Sequence, residues 1–145
     1  MDLRRGGESD TARIRALLVD CGLPTEDLDD TPVDFLVAGE GGDTFGVVGL
    51  QSFGQVGLLR SLAVHADGRG KGAGSALVDA LESHARAAGV RQLVLLTQTA
   101  EPFFAARGYA PIARAAAPAA VQGSAEFRSI CPASATCMSK ELQPR

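Results

Sequence analysis

The sequence VGLLRSLAVHADGRGKGAGS at residues 56–75 decides the fold. Its first half, Val56–His65, is rich in Val and Leu and predicts a long central strand. A glycine-rich loop follows, and from Ala73 to Ala88 the apolar side chains recur with the period of a helix. The stretch therefore predicts a strand, a loop and a helix in direct succession.

A second strand completes this unit. The run Leu93-Val94-Leu95-Leu96 is continuously apolar, as is typical of a strand buried on both faces. A strand–helix–strand connection of this length places its two strands parallel to each other. We predict a βαβ unit from Val56 to Leu96.

The segments before this unit predict antiparallel elements. A strand around Leu3 precedes an amphipathic helix that runs from Ser9 to Cys21. Two further strands, Val33–Glu40 and Thr44–Ser52, are separated by a Gly-Gly-Asp turn and predict a β-hairpin.

The segments after the unit predict the rest of the sheet. They give a short helix capped by Thr99, a strand that starts at Tyr109 and a closing strand at Thr136–Leu142. The expected fold class is α/β, with a mixed, mostly antiparallel sheet of six or seven strands, a central parallel pair and helices on both faces. Its 145 residues fit a single domain, 1–145.

Composition excludes several classes of protein. The net charge of -3 argues against nucleic acid as a partner, because binding to a phosphate backbone needs an excess of Lys and Arg. No apolar run approaches the roughly 18 residues that span a bilayer, so we expect no membrane partner and a cytoplasmic location. Three cysteines without a Cys-x-x-Cys pair, and two histidines, indicate neither disulfides nor a metal site.

The loop Arg69–Ser75 carries the chemistry. The first N–H groups of a helix and the positive end of its dipole attract anions, and glycine lets a phosphate approach the backbone closely. Arg69 and Lys71 add positive charge. The loop is neither a Walker motif, which ends in Gly-Lys-Ser/Thr, nor a dinucleotide fingerprint, whose glycine spacing differs.

The loop resembles the pyrophosphate-binding loop of the GNAT acyltransferases, Arg/Gln-x-x-Gly-x-Gly/Ala, with Arg69, Gly72 and Gly74 at the marked positions. Downstream, Phe103-Phe104-Ala105-Ala106-Arg107-Gly108-Tyr109 is similar to the Phe-Tyr-x-x-x-Gly-Phe signature of that family. The two motifs and the strand order extend the resemblance over nearly the whole chain.

The resemblance implies an N-acetyltransferase that uses acetyl-CoA as co-substrate and needs no metal. The pantetheine arm would pair with the backbone of Leu62 and Val64, between the strand ending at His65 and the strand ending at Thr97. The amine would attack the thioester directly, with the oxyanion held by N–H groups near Val64. The implied CoA-binding residues are Leu62, Ala63, Val64, Arg69, Gly70, Lys71, Gly72, Ala73, Gly74, Ser75, Phe103 and Phe104.

One position departs from the family pattern. Many members carry a Tyr that protonates the departing CoA thiolate, whereas this chain has Phe104, which has no proton to give. Another donor replaces it, or the thiolate leaves unaided, since a thiol pKa of about 8.5 makes it a tolerable leaving group.

A narrower resemblance covers the C-terminal segment at residues 124–138, together with Leu59–Val64. Both are similar to the small GNAT proteins associated with bacterial arsenic-resistance operons. This resemblance implies a small amine acceptor such as an amino acid or an arsenic-containing amino acid. A homodimer is left open.

Several residues are candidates for the chemistry of transfer. Glu40, Glu126 and Cys131 are candidate catalytic groups, the two carboxylates as bases and the thiol as an acid; the alternatives are solvated carboxylates and a packing cysteine. Cys131 and Cys137 are also a candidate thiol pair for trivalent arsenic. His65 is a possible base or a turn residue.

Arg60 and Ser61 are candidate residues of the acceptor site. By strand alternation Arg60 shares a face with Leu62 and Val64, where it would hold an acceptor carboxylate; a plain exposed Arg is the alternative. A function of another class also remains open, namely a non-catalytic acyl-CoA-binding or arsenical-sensing module.

Overall fold

A computed structural model of the chain describes residues 2–40, 43–66, 70 and 72–143. Its sheet has seven strands in the spatial order β1-β2-β3-β4-β5-β7-β6. Strands β4 and β5 are parallel, whereas β1–β2, β2–β3, β5–β7 and β6–β7 are antiparallel. The strands are β1 Asp2–Arg5, β2 Asp34–Glu40, β3 Asp43–Phe53, β4 Val56–Val64, β5 Gln92–Thr97, β6 Ala110–Pro111 and β7 Thr136–Glu141. The α/β fold with its parallel pair is confirmed.

Four α-helices accompany the strands among the described residues: α1 Thr11–Asp20, α2 Ala73–Ala87, α3 Glu101–Ala105 and α4 Ala119–Gln122. The described residues also contain two short 3-10 turns, Glu8–Asp10 and Arg114–Ala116, and a π-helical turn, Glu126–Ile130. Within the described part of the chain, no helix is both long and apolar enough to cross a membrane.

The chain contacts divide into two compact units. We call residues 1–51 with 60–84 the N-terminal unit, and residues 52–59 with 85–145 the C-terminal unit. Strand β4 contributes residues to both. The prediction of a single domain remains a prediction.

The core of the N-terminal unit forms where α1 packs against the sheet. Its buried cluster joins Ile14, Leu17 and Leu18 of the helix to Val37, Val47 and Ala63 of the strands. Helix α2 also buries Leu77, and a Cβ at Gly46 would lie 2.9 Å from its Cδ1 atom. The missing side chain at residue 46 therefore lets the helix approach the sheet closely.

The core of the C-terminal unit lies around β5 and β7. The buried cluster consists of Leu58, Val94, Ala117, Val121, Phe127 and Cys137. Parallel pairing of β4 with β5 joins Val56 to Gln92 and Leu58 to Val94, which confirms the βαβ prediction for this pair.

Three local predictions were wrong. The helical period of residues 73–88 predicts Ala88 on the apolar face and Glu82 off it. Glu82 is instead 5% exposed, and Ala88 is exposed because α2 ends at Ala87. The cap of α3 is not Thr99: the Thr97 hydroxyl accepts the N–H of Ala100 at 3.0 Å.

A bidentate ion pair between Arg4 and Asp10 lies directly before the first residue of α1. Asp10, which is 3% exposed, accepts two N–H groups of Arg4 at 2.8 and 2.6 Å and the N–H of Gly7 at 2.8 Å. The hydrogen bonds from Arg4 and then Gly7 hold the pKa of Asp10 well below its ordinary value.

We expect Asp10→Asn to lower the melting temperature at pH 7, and to lower it less as the pH falls below about 4. A depressed folded-state pKa stabilises above the unfolded-state pKa, and this contribution disappears as the pH falls through the folded-state value. Thermal melts of both proteins between pH 7 and pH 3 measure the difference. Asp30→Asn, at an exposed loop carboxylate, is the control. A difference that stays constant with pH would contradict the prediction.

Candidate functional site

The glycine-rich loop joins β4 to α2 in the N-terminal unit. Directly after β4, His65 donates its N–H to the Phe45 carbonyl of β3 at 2.7 Å. At the start of α2, Ala76 donates its N–H to the Gly72 carbonyl at 3.0 Å. Gly70 and Gly72 have φ of 81° and 75°, a left-handed backbone that favours glycine. No described atom lies within 4 Å of where their Cβ atoms would be, so the backbone faces open space.

Helix α2 begins directly behind this open backbone and is 15 residues long. The first N–H groups of a helix have no carbonyl partner within the helix, and its dipole makes that end positive. Ala73 is buried, whereas Gly74 and Ser75 of the first turn are half-buried. The arrangement suits a phosphate group at the start of α2. Arg69 and Lys71 lie outside the described residues, so their roles stay predictions.

The last three residues of β4, Leu62–Val64, alternate in burial. Ala63 is 4% exposed and belongs to the core cluster with α1, whereas Leu62 and Val64 are half-buried. Backbone pairing of these two residues with pantetheine stays a prediction.

Ser61 interrupts the regular geometry of β4. Its φ is 60°, and it is the one non-glycine residue with positive φ in the part of the chain that the structure describes. A left-handed backbone costs a residue with a Cβ roughly 1–2 kcal/mol relative to the right-handed one. The strand therefore holds a strained residue three positions before its end.

Arg60 has a partner that the sequence did not reveal. Its two terminal nitrogens donate to the two oxygens of Asp27, each at 2.7 Å, and the Arg60 side chain is fully buried. The alternative of an exposed Arg is wrong. The carboxylate that Arg60 binds with both terminal nitrogens belongs to Asp27 of the same chain. The prediction that Arg60 binds the carboxylate of the acceptor stays untested. The Arg60 hydrogen bonds lower the pKa of Asp27.

No feature of the sequence distinguishes Asp27 from its neighbours. It lies in the acidic stretch predicted as a loop, and nothing in the spacing separates it from Asp29 or Asp30. Asp27 is 9% exposed whereas those two are exposed, so burial alone distinguishes it.

Glu40 ends β2 and is exposed. It pairs in register with Asp43 at the start of β3, whose Phe45 accepts the His65 N–H. Glu40 therefore lies at the end of the strands where β4 runs into the glycine loop. His65 is exposed there, and the role of either residue as a base stays a prediction.

Phe103 and Phe104 lie on α3 in the C-terminal unit. Phe104 is 4% exposed and packs edge-to-face against Phe103, with ring centroids 5.1 Å apart, and against Tyr109, at 5.4 Å. Arg107 stacks over Phe103, and Lys140 lies over Tyr109. The Phe104 ring is thus buried in an aromatic cluster, and contact of Phe103 and Phe104 with CoA stays a prediction.

The C-terminal segment is held by Arg114, a residue whose role the sequence did not suggest. Its guanidinium donates to the carbonyls of Phe127 at 3.0 Å, Cys131 at 3.4 Å and Pro132 at 2.8 Å. It also stacks over the Phe127 ring at 5.4 Å. An Arg that directly precedes an Ala/Pro-rich stretch, residues 115–120, has no pattern from which such contacts follow.

The two terminal cysteines differ in burial. Cys137 is 3% exposed in the core cluster of the C-terminal unit, and burial raises the pKa of its thiol, with a smaller opposing effect of Arg114. Cys131 is half-buried. A raised pKa disfavours the thiolate, so Cys137 is poorly suited to act as a nucleophile. Glu126, 4% exposed, lies in the same segment, and its role as a base stays untested.

A cavity of about 410 Å³ lies elsewhere in the N-terminal unit. It is lined by the end of β1, the start of α1 and the start of β2, including Arg5, Thr11, Arg15 and Phe35. Of the described candidate residues, neither Arg60 nor Ser61 lines it. The predicted acceptor residues and this cavity are therefore separate features.

Comparison with known proteins places these features in a family. The model of the acetyltransferase (GNAT) family matches residues 8–109, which is more than half of the chain. A search of curated proteins found no match.

Solved structures share the fold. N-acetylglutamate synthase from Neisseria gonorrhoeae, complexed with coenzyme A and N-acetyl-glutamate, has a TM-score of 0.83 at 20% identity over 98% of this chain and 35% of that chain. The chain thus spans about a third of that synthase. Rv2747 from Mycobacterium tuberculosis, in complex with CoA and NLQ, has a TM-score of 0.80 at 25% identity over 99% of this chain and 100% of that chain.

An acetyltransferase of the GNAT family from Staphylococcus aureus Mu50 has a TM-score of 0.78 at 15% identity, over 98% of this chain and 99% of that chain. The family match, the sheet with its parallel pair and the open glycine loop at the start of α2 agree with one another. The chain belongs to the acetyltransferase (GNAT) family.

Proposed function

We propose that the chain transfers the acetyl group of acetyl-CoA to a small amine. The observation that carries this proposal is the open backbone at Gly70 and Gly72, placed at the start of a 15-residue helix. A pyrophosphate fits such a place because the helix supplies positive charge and the glycines leave room for the phosphate oxygens. Two of the three solved neighbours described above were determined with CoA bound.

The transfer is direct. The acceptor ammonium first loses a proton to give the neutral amine, whose nitrogen attacks the thioester carbonyl carbon. The tetrahedral adduct then loses a second N–H proton to water or a base, the carbon–sulfur bond breaks, and the departing CoA thiolate takes up a proton. Phe104 has no proton to donate and is enclosed by Phe103 and Tyr109. The thiolate is a tolerable leaving group without a protein acid, since a thiol pKa lies at about 8.5.

The proposed acceptor is an amino acid or an arsenic-containing amino acid. Support comes from the resemblance of residues 124–138 to the proteins of arsenic-resistance operons, and from the neighbour complexed with N-acetyl-glutamate. The C-terminal segment would shape the acceptor pocket.

Release of the free CoA thiol tests this function. The protein is incubated with acetyl-CoA and a panel of amines that contains amino acids, arsenic-containing amino acids and amines without a carboxylate. We expect thiol release that depends on the amine, and an acetylated amine by mass spectrometry. Acetyl-CoA binding without turnover on any amine would indicate a non-catalytic acyl-CoA-binding or arsenical-sensing module instead.

We expect acetyl-CoA to raise the melting temperature and Gly72→Asp to abolish that rise. A ligand that binds only the native state at 100 times its Kd adds about 2.7 kcal/mol to stability. The carboxylate of the variant would repel the pyrophosphate and occupy the open space beside Gly72. Thermal melts with and without millimolar acetyl-CoA measure both effects.

Two controls separate repulsion from strain. Gly72→Asn has nearly the same shape as the Asp variant without its charge, so it should retain more of the rise. Gly54→Asp places the same charge at a turn with the same left-handed φ, 73°, and the same open space, but at the beginning of β4. Gly54→Asp should keep the full rise. A folded Gly72→Asp protein with wild-type acetyl-CoA affinity would refute the assignment of the loop.

We also expect Cys131→Ser and Cys137→Ala to retain acetyl-CoA binding and to change activity mainly through the acceptor KM. Direct transfer needs no covalent nucleophile, and burial disfavours the Cys137 thiolate. Steady-state kinetics of each variant measures kcat and KM separately.

The covalent alternative has a clear signature. An acetyl group trapped on either cysteine, or a folded variant that binds acetyl-CoA and has lost its kcat, would show that transfer proceeds through a thiol.

A further inference from the structure

A buried ion pair lies next to the strained residue of β4. Asp27 and Arg60 form two hydrogen bonds of 2.7 Å, and Arg60 also donates to the Gln51 side-chain oxygen at 3.3 Å. The Nε of Arg60 donates to the Oγ of Ser61 at 3.3 Å. The same guanidinium therefore contacts both the loop residue Asp27 and the residue with φ of 60°.

Ser61 needs such support because its conformation is unfavourable. Residues with a Cβ occupy the left-handed region only where their surroundings impose it. Arg60 is its direct neighbour in the chain, and the fully buried side chain of Arg60 is fixed by donors at three nitrogens. Fixing Arg60 in place also restricts the peptide that joins it to Ser61.

The other end of the pair is anchored as well. Asp27 follows α1 in the loop that leads to β2, and the Leu28 side chain packs against the core cluster of α1. The pKa of Asp27 is lowered mainly by Arg60 and, to a smaller degree, by the Thr31 side chain. The carboxylate thus comes from a loop whose own position is set by the core.

The N-terminal unit contains a second pair of the same kind for comparison. Arg4 and Asp10 also form a bidentate pair with a buried carboxylate, yet they contact Gly7 at the entrance to α1. This pair shares its chemistry with the Asp27–Arg60 pair, but its hydrogen bonds among the described residues join β1 to the start of α1.

We propose that Asp27 is a positioning residue for acetyl transfer, which acts through Arg60 to hold Ser61 in its left-handed conformation. The conformation of Ser61 sets the directions of the peptide groups that follow it, at Leu62–Val64, where the thioester is expected to bind. The proposal rests on the proposed acetyl transfer. Loss of the pair would let Ser61 relax toward an ordinary extended strand and would misplace the acetyl group rather than release CoA.

The test measures kcat, acetyl-CoA binding and backbone geometry in Asp27→Asn. We expect kcat to fall about tenfold or more, because a small misplacement of a reacting group is costly, while the rise in melting temperature with acetyl-CoA is retained. The three-bond coupling between the amide and α protons of residue 61, measured by NMR on labelled protein, should change from a left-handed to an extended value.

Rescue by glycine identifies the path of the effect. Glycine adopts a φ of about 60° without a steric penalty, so Ser61→Gly in the Asp27→Asn background should restore kcat by about threefold or more. Asp10→Asn is the matched control: it removes the comparable ion pair and should lower the melting temperature while kcat stays near that of the wild type. Asp27→Glu, which keeps the charge and changes the reach, replaces Asp27→Asn if the latter does not fold.

Several outcomes would overturn the proposal: a wild-type kcat in a folded Asp27 variant, an equal loss of kcat in Asp10→Asn, or no rescue by glycine. If both Asp27 variants fail to fold, the pair serves the fold as a whole and the proposal is wrong. A wild-type protein without turnover on any amine contradicts the proposed function instead, and the coupling at residue 61 then decides whether Asp27 controls the backbone.

Discussion

The junction between β4 and α2 is the constraint on which the site depends. A strand end and a helix start meet within residues 65–72, and the first N–H groups of the helix cannot pair within it. Gly70 and Gly72 take left-handed conformations that leave this backbone open. The packing of α2 behind it is tight, with Leu77 fully buried against the position of Gly46. The open backbone at Gly70 and Gly72, together with the firmly packed helix that follows it, creates a place where an anion can bind.

The sequence predicted the elements that have a strong local period. The βαβ unit, the hairpin and the closing strand followed from alternating or continuous apolar residues, and their bounds differ from the observed ones by only a residue or two. The glycine loop could be predicted because its left-handed backbone conformations favour glycine, which makes the loop visible in the sequence. The family match to residues 8–109 supports the same interpretation.

Features that depend on distant residues were not predictable. Asp27 and Arg60 are 33 positions apart, and their pairing is decided by how a loop folds back over a strand. Simple alternation placed Arg60 with Leu62 and Val64, but the left-handed Ser61 between them breaks the alternation on which that prediction depended. Glu82 likewise lies off the apolar stripe of its helix and is buried by tertiary packing.

The hydrogen bonds between Arg114 and the C-terminal segment affect which substitutions this segment can accept. All three of its hydrogen bonds end on main-chain carbonyls, of Phe127, Cys131 and Pro132. Every amino acid carries that carbonyl, so the path of the segment depends little on the side chains along it. Substitutions at exposed positions such as Arg128, Ala133 and Ser134 can accumulate while the path is kept. Related proteins can therefore differ in the side chains that this segment exposes while its backbone follows the same path.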